Sequence, residues 1–230
     1  MGERLVLWDI DKTLVDMDGT GFEAFSAAFA TFSGLTDHID THGPGRTEWQ
    51  WFNDTLEVNG LADRSGEFAR FLEILEDEFQ RRAHELPERG RVLPGAEEAL
   101  RRCAEAPDVI SSVLTGNTRR NAQRKLAALA LDHLVDFELG GYGDDHWDRA
   151  ELVRIARRRV REATGLEFTP ATTVLVGDAP NDVRAALMGG AQIIAVATGL
   201  SDADALRAAG ATTVLPDLSD TDTVMAALLS

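Results

Sequence analysis

Residues 5–14 read Leu5-Val6-Leu7-Trp8-Asp9-Ile10-Asp11-Lys12-Thr13-Leu14, in which four apolar residues lead directly into two carboxylates. The apolar run is short and predicts a buried β-strand. Because residues two apart in an extended chain point to the same side, Asp9 and Asp11 would project together from the carboxyl end of that strand. Burying two like charges is costly unless a cation or a proton is shared between them. Taken alone, the stretch fits either a cation site or an Asp-rich turn.

The composition is that of a globular protein without a basic surface. The chain has 230 residues, 44% hydrophobic and 27% charged, enough for one large domain or two smaller ones. Its net charge of −16 argues against nucleic acid as a partner, because no basic surplus is available to neutralise phosphates. No apolar run is long enough to span a membrane, and the first strand begins within a few residues of Met1. We therefore expect a cytoplasmic protein that binds neither nucleic acid nor membrane.

The pattern from residue 16 to residue 90 predicts a small all-helical unit without a strand. Aromatic residues recur there at helical spacing, at Phe22, Phe25, Phe29 and Phe32. A second helical period runs from Phe68 to Phe79. We interpret the aromatic stripe as packing, and we expect residues 16–90 to form a domain separate from residues 1–15 and 91–230.

From residue 91 onward the pattern changes to strands that alternate with helices. Strands are predicted at residues 109–114, 173–176, 192–196 and 212–215, with a weaker one near 135–137. The helices between them are roughly ten residues long, as in parallel sheets covered on both faces. The fold class expected is therefore α/β, with a Rossmann-like, doubly wound parallel sheet.

Three of the predicted strands end in small or polar residues. The first ends in Asp9 and Asp11, the second in Thr115-Gly116-Asn117, and the third in Asp178, with Asp182 four residues later. If these strands are neighbours, their carboxyl ends meet at one site. Carboxylates without histidine or cysteine suit Mg²⁺, and a small-residue turn at a helix start suits an anion. This combination indicates a phosphate ester held by Mg²⁺, in which an unpaired carboxylate can act as a nucleophile.

These residues resemble three motifs of the haloacid dehalogenase superfamily of phosphohydrolases. The first, Asp-x-Asp-x-Thr, is found at residues 9–13; the second, an apolar strand ending in Thr, at 114–117; and the fourth, Gly-Asp-x-x-x-Asp, at 177–182. They occur in the family's order and span most of the chain. Residues 16–90 resemble the helical cap of the phosphoglycolate-phosphatase-like branch, inserted into a core of residues 1–15 and 91–230.

The resemblance implies a role for each of the acids. Asp9 would attack phosphorus, and Asp11 would protonate the leaving oxygen and then activate water. Mg²⁺ would be held by Asp9, the backbone carbonyl of Asp11, and Asp178. Asp182 would orient the metal shell, although an acid in the first turn of a helix is also stabilised by the helix dipole alone.

The resemblance also implies that Thr115 and the N–H groups of Gly116 and Asn117 bind the phosphoryl oxygens. The family's third motif is a lysine, sometimes an arginine, before the third of these strands. No lysine stands there; Arg149 occupies the matching place, and Lys125 is the other candidate. The sequence does not separate the two, and at least one of them is expected to be a solvated helix charge.

In the cap, the loop Gly43-Pro44-Gly45-Arg46-Thr47-Glu48 resembles the turn that closes over substrate in related enzymes. Arg46 is our candidate for contacting a charged group of the substrate. A plain turn between two helices would account for the same residues.

The function implied is that of a Mg²⁺-dependent phosphatase that hydrolyses a small phosphorylated metabolite through an aspartyl-phosphate, as a monomer or homodimer. A sugar-phosphate mutase has the same core residues and remains an alternative, as does a nucleotidase or a small-molecule pyrophosphatase. Dehalogenases lack the second acid, and phosphonatases need a cap lysine that is missing between residues 16 and 90. A phospho-accepting receiver module combines similar residues in about half this length, without a cap, and is less favoured.

Overall fold

A computed structural model describes residues 3–35 and 45–230 of the chain. In these ranges the strands and helices follow in the order β1 (Arg4–Trp8), β2 (Val15–Asp16), α1 (Thr20–Ser33), α2 (Glu48–Val58), α3 (Phe68–Arg81), α4 (Leu86–Arg89), β3 (Arg91–Val92), α5 (Ala96–Glu105), β4 (Val109–Val113), α6 (Arg119–Ala128), α7 (Arg149–Thr164), β5 (Thr173–Gly177), α8 (Pro180–Gly189), β6 (Gln192–Val196), α9 (Ala203–Ala208), β7 (Thr213–Leu215) and α10 (Thr221–Leu228). None of the helices described is long and apolar enough to cross a membrane.

Five parallel strands form the central sheet, in the order β4-β1-β5-β6-β7. The predicted parallel α/β fold is therefore confirmed. Strand β1 lies between β4 and β5, so Trp8 at its end is paired with Val113 on one side and Val176 on the other. The chain runs outward from β1 in both directions, which makes its carboxyl end the switch point of the sheet.

Both faces of the sheet are covered by helices. Along β1, Val6 and Trp8 pack into one hydrophobic cluster with α5, α6 and α10, whereas Leu5 and Leu7 pack into another with α7, α8 and α9. Because successive strand residues point to opposite faces, a strand buried on both sides is apolar at every position. This explains why β1 has a continuous apolar run rather than an alternating pattern.

Residues 24–79 supply a third hydrophobic cluster of their own. Its buried members are Ala24, Phe25, Ala28, Phe29, Phe32, Phe52, Leu56, Phe71, Leu75 and Phe79. Their rings meet edge to face and in stacks, for example Phe32 on Phe52 with ring centres 5.3 Å apart. This separate cluster supports the proposed helical domain of residues 16–90, and most of the predicted aromatic stripe packs within it.

The expectation that residues 16–90 contain no strand is wrong at the start of this range, because Asp16 lies in a strand that pairs with residues 91 and 92. Val15 and Asp16 form β2, which pairs antiparallel with Arg91 and Val92 of β3. The chain leaves the core and re-enters it at adjacent points, so the two connecting segments lie side by side. An ion pair between Asp16 and Arg91 joins them further.

The weaker strand predicted near residues 135–137 does not form. A short 3₁₀ segment, Asp132–Leu134, is followed by a turn in which the carboxylate of Asp136 accepts the backbone N–H of Glu138 at 2.8 Å. Such side-chain bonds favour turns over ladders. The segment still covers the edge of β4, since the N–H of Asp136 donates to Ser111 O at 2.9 Å.

Candidate active site

Three buried carboxylates meet at the carboxyl ends of β1 and β5. Asp9 follows β1, Asp178 follows β5, and Asp182 lies in the first turn of α8. Each offers an oxygen within 4.8 Å of the others. These strands are direct neighbours in the sheet, so acids more than 160 residues apart in sequence converge. We call Asp9, Asp178 and Asp182 the acid cluster.

Arg149, the first residue of α7, is the cation closest to this cluster. Its Nη2 donates to Asp9 Oδ1 at 2.6 Å and lies 2.6 Å from Asp182 Oδ1. Arg149 is 5% exposed, so these pairs are shielded from water. A single guanidinium accompanies three carboxylates and contacts two of them, so the cluster has an excess of negative charge.

The excess charge is visible in the pKa values of the cluster. Burial, together with the charge of Asp182, raises the pKa of Asp9 above its usual range, although Arg149 opposes this. Burial also raises the pKa of Asp178, with Asp9 and Asp182 adding to it. A divalent cation bound among these acids would lower both pKa values by stabilising the charged forms.

Beside the acid cluster, the buried Nε of Arg149 has no hydrogen-bond partner, whereas Asp182 Oδ1 is paired with Arg149 Nη2 at 2.6 Å. A buried donor without a partner is costly unless a ligand or water completes it. Asp182 is anchored further, because its side chain accepts the N–H of Ala179 at 3.0 Å. Hard oxygen donors with an excess of negative charge fit Mg²⁺.

The backbone at Gly199 lies very close to the side chain of Asp178 in the acid cluster. A Cβ on Gly199 would lie 1.7 Å from Asp178 Oδ2, so no other residue fits there without movement. Thr13 Oγ1 donates to Asp178 Oδ1 at 3.1 Å. Lys12, directly after Asp11, adopts a left-handed backbone with φ of 66°, which is easiest for glycine.

Asp11 lies apart from the acid cluster and has its own partners. Its Oδ2 accepts from Lys125 Nζ at 2.6 Å and from Asn117 Nδ2 at 2.7 Å. Lys125 also donates to Asn117 Oδ1 at 2.7 Å, and Asn117 Nδ2 to Thr115 Oγ1 at 2.7 Å. The carboxylate of Asp11 is thus absent from the acid cluster, and its predicted part in metal binding rests on the backbone carbonyl.

Lys125 and Arg149 are both buried, at 3% and 5% exposure. The expectation that at least one of them is a solvated helix charge is therefore wrong. Each is paired with a different acid, Arg149 with Asp9 and Lys125 with Asp11. Both side chains reach the carboxyl end of the sheet, where the neighbouring carboxylates compensate for the lost hydration of the two cations.

The Thr115-Gly116-Asn117 turn lies directly beneath the cap loop. The backbone N–H of Glu48 donates to Gly116 O at 2.9 Å. A Cβ on Gly116 would lie 1.9 Å from Arg46 O, so the contact requires glycine. Gly45, Arg46, Thr47 and Glu48 are described and lie against the core, whereas Gly43 and Pro44 of the predicted loop lie outside the described residues.

Two residues of this loop hold the amino end of α2 against the core. Thr47 accepts the N–H of Gln50 at 3.2 Å and donates to Trp147 O at 3.0 Å. Glu48 is buried, and burial raises its pKa from 4.5 to about 8, although the charge of Lys125 opposes the shift. A carboxyl group that remains protonated near neutral pH is therefore placed beside Lys125.

A cavity of about 340 Å³ lies between the cap helices and the end of the sheet. Its lining includes residues already described, among them Asp9, Asp11, Thr115, Lys125 and Arg149. It also includes apolar side chains, at Met17, Phe22, Trp51, Phe79 and Leu200. Arg46 also lines the cavity, and its Nη1 lies 2.7 Å from Asp54 Oδ2 on α2. Its contact with a charged substrate group stays a prediction.

The sequence pattern that defines the haloacid dehalogenase-like hydrolase family matches residues 6–187. This range includes Asp9 and Asp11 after β1, the Thr115 turn, and the two acids after β5. The chain belongs to this family. It is therefore a hydrolase, and the resemblance drawn from its motifs is confirmed. No curated protein matches the sequence significantly.

Solved structures share the fold of this hydrolase over its whole length. A predicted phosphatase from Clostridium acetobutylicum is 18% identical with a TM-score of 0.71, covering 100% of this chain and 99% of its own. A hydrolase from Pseudomonas syringae is 22% identical with a TM-score of 0.71, covering 99% and 100%. A protein provisionally assigned as a β-phosphoglucomutase, from Bacteroides vulgatus, is 20% identical with a TM-score of 0.70, covering 99% and 89%. At these identities the likeness establishes the fold.

Some residues at the site of this family member were not found by sequence reasoning. Thr13 is part of the Asp-x-Asp-x-Thr motif, so a signal for it existed, but its bond to Asp178 did not follow from the motif. Glu48 and Gly199 carry no local signal, because their positions depend on how the cap and the loop after β6 approach the sheet. Phe22 belongs to the aromatic stripe, yet it lines the cavity instead of packing inside the cap.

Proposed function

We propose that this haloacid dehalogenase-like hydrolase is a Mg²⁺-dependent phosphatase that acts on a small phosphorylated metabolite through an aspartyl-phosphate on Asp9. The observation that carries the proposal is the separation of two acids at one sheet end. Asp9 lies in the acid cluster with Arg149, while Asp11 is held 2.6 Å from Lys125. A nucleophile and a separate acid-base group are the two roles that such a reaction needs.

Asp9, Asp178 and the backbone carbonyl of Asp11 would hold the Mg²⁺, with Asp182 orienting the metal shell. The ion would supply positive charge that offsets the charge of the nucleophile and the phosphoryl group as they approach. The grouping of three buried carboxylates against a single guanidinium supports this assignment.

In the first step, a carboxylate oxygen of Asp9 attacks phosphorus in line with the leaving oxygen. Arg149, whose Nε has no partner within the protein, would hold a phosphoryl oxygen while Nη2 keeps Asp9 in place. Thr115 Oγ1 accepts from Asn117, so its own proton remains to be donated to a second phosphoryl oxygen. The N–H groups of Gly116 and Asn117 complete the cradle. In phosphoryl transfer, hydrogen-bond donors that are positioned to stabilise the negative charge of the transition state account for most of the catalysis.

Asp11 then serves both halves of the reaction. Its proton goes to the leaving alcohol oxygen as the phosphorus–oxygen bond breaks, and its carboxylate later takes a proton from the water that cleaves the aspartyl-phosphate. Lys125 and Asn117 hold the carboxylate in one orientation throughout. A fixed acid-base group contributes typically a hundredfold or more to such steps, by an order-of-magnitude estimate of about 10² to 10⁴.

The proposal includes a cytoplasmic enzyme, monomeric or homodimeric, that acts on metabolites and not on nucleic acid or membranes. A sugar-phosphate mutase is the alternative with the same core, and a neighbour in fold carries that provisional assignment. A mutase returns the phosphoryl group to a sugar, whereas a phosphatase releases it to water.

The test is the Asp9→Asn variant. Release of phosphate from a panel of phosphorylated metabolites with Mg²⁺ should be abolished, because an amide is a poor nucleophile. Asp204→Asn is the matched control, since Asp204 is exposed on α9 and does not line the cavity. Activity near that of the wild type in Asp9→Asn would show that the nucleophile is wrongly assigned. Transfer of the protein-bound phosphate to a sugar phosphate, without release to water, would favour the mutase.

A further inference from the structure

We infer that the leaving group of the substrate is an uncharged, flat ring, bound between the cap and the loop after β6. The inference rests on the proposed phosphatase function and narrows its substrate class. It depends on the apolar side chains that line the cavity.

The apolar part of the lining comes from both the cap and the core. Phe22, Trp51 and Phe79 come from the cap, and Leu200 comes from the core. Phe22 is 42% exposed and Leu200 is 83% exposed, although both are large and apolar. Exposed apolar side chains grouped at the mouth of a pocket are typical of a surface that a ligand covers.

The cap side of the wall is flat. The ring of Trp51 is stacked on Phe25 with centres 3.7 Å apart and planes 10° apart. Phe22 is stacked with Trp51 at 6.1 Å and 26°. Near-parallel rings present a planar face, and aromatic groups gain from offset stacking beyond the area they bury. A flat leaving group therefore fits this wall better than a puckered or branched one.

The cations that line the cavity already have acidic partners. Lys12 Nζ lies 2.5 Å from Asp16 Oδ1, and Arg46 pairs with Asp54, which is not part of the lining. The remaining lining cations among the described residues, Lys125 and Arg149, are paired with Asp11 and Asp9. A second anionic group on the substrate would have to displace one of these pairs. The cavity is thus matched to a neutral leaving group.

The experiment compares four phosphate monoesters of primary alcohols with the wild-type protein and Mg²⁺. Benzyl phosphate supplies a flat ring, cyclohexylmethyl phosphate a puckered ring of the same carbon count, ethyl phosphate no ring, and 2-phosphoglycolate an anion. We expect kcat/KM for benzyl phosphate to exceed that for the other three by at least about tenfold, because a ring bound in the pocket contributes more than one or two methylene groups.

Phe22→Ala tests the wall directly, and Val58→Ala is the control, since Val58 is exposed on α2 and does not line the cavity. In Phe22→Ala the loss in kcat/KM should be about tenfold larger for benzyl phosphate than for ethyl phosphate. Val58→Ala should show no such difference.

Three results would overturn the inference while leaving the phosphatase in place: equal turnover of benzyl and ethyl phosphate, equal turnover of benzyl and cyclohexylmethyl phosphate, or a preference for 2-phosphoglycolate. The last result would assign a charged substrate group to Arg46 or Lys12. Failure of the wild type to release phosphate from any ester, these four or the metabolite panel, would instead overturn the proposed function, and this inference with it.

Discussion

Glu48→Gln should stabilise the protein, and by an amount that grows with pH. Burial raises the pKa of Glu48 from 4.5 to about 8, so the folded protein keeps a proton that the unfolded chain releases. The folded state then binds more protons than the unfolded state, and the free energy of unfolding falls as pH rises through this window. Glutamine keeps the size and polarity of the protonated group and has no charge to lose.

The magnitude follows from the size of the shift. One pKa unit corresponds to about 1.4 kcal/mol, so the contribution of Glu48 falls by about 3 to 4 kcal/mol between about pH 5 and about pH 8. The wild type loses this amount and Glu48→Gln does not. The difference between the two proteins should therefore be small near pH 5 and several kcal/mol near pH 8, with the variant more stable.

The assay is urea unfolding of both proteins at four pH values from about 5 to about 8, without Mg²⁺, with the free energies of unfolding extrapolated to water. Changes in the acid cluster affect both proteins and cancel in the difference. Glu73→Gln, at an exposed site on α3, is the matched control and should show a difference that does not vary with pH. A constant offset for Glu48→Gln across this range would refute the argument, and so would a variant that is less stable at pH 8.

Three further predictions concern the site and the cap. Arg149→Ala and Lys125→Ala should each lower kcat by about 100-fold or more, since each leaves a catalytic acid without its partner; near-normal turnover of either would contradict its assignment. Gly116→Ala should lower kcat/KM by about 100-fold and also lower the free energy of unfolding, because a Cβ at this position would lie 1.9 Å from Arg46 O and push the cap loop away from the turn; unchanged kinetics would show that this contact is not needed for turnover. Phe25→Ala should lower the free energy of unfolding by about 3 to 5 kcal/mol, measured with urea, and a loss below about 1 kcal/mol would show that the cap cluster contributes little.

Much of the fold was predictable from local pattern. The apolar run of residues 5–8 indicates a strand buried on both faces, and β1 has that environment because helices cover both sides of the sheet. The order of small and polar residues after β1, β4 and β5 was enough to predict which strand ends meet at the candidate site. The segment at 135–137 failed because a single side-chain bond from Asp136 favours a turn, a short-range effect that apolar periodicity does not register.

The parallel α/β fold, the family and the choice of candidate acids follow from the sequence by itself, because residue type and spacing are properties of the chain. The pairing of those acids does not. Whether Arg149 or Lys125 faces Asp9 depends on which helix crosses which strand, and Asp9 and Arg149 are 140 residues apart. The same holds for Glu48, which is buried and protonated only because the cap loop lies against the Gly116 turn. Contacts between distant segments arise from strand order and the position of the cap, so the tertiary structure alone determined the partners of each candidate catalytic group and which apolar side chains line the cavity.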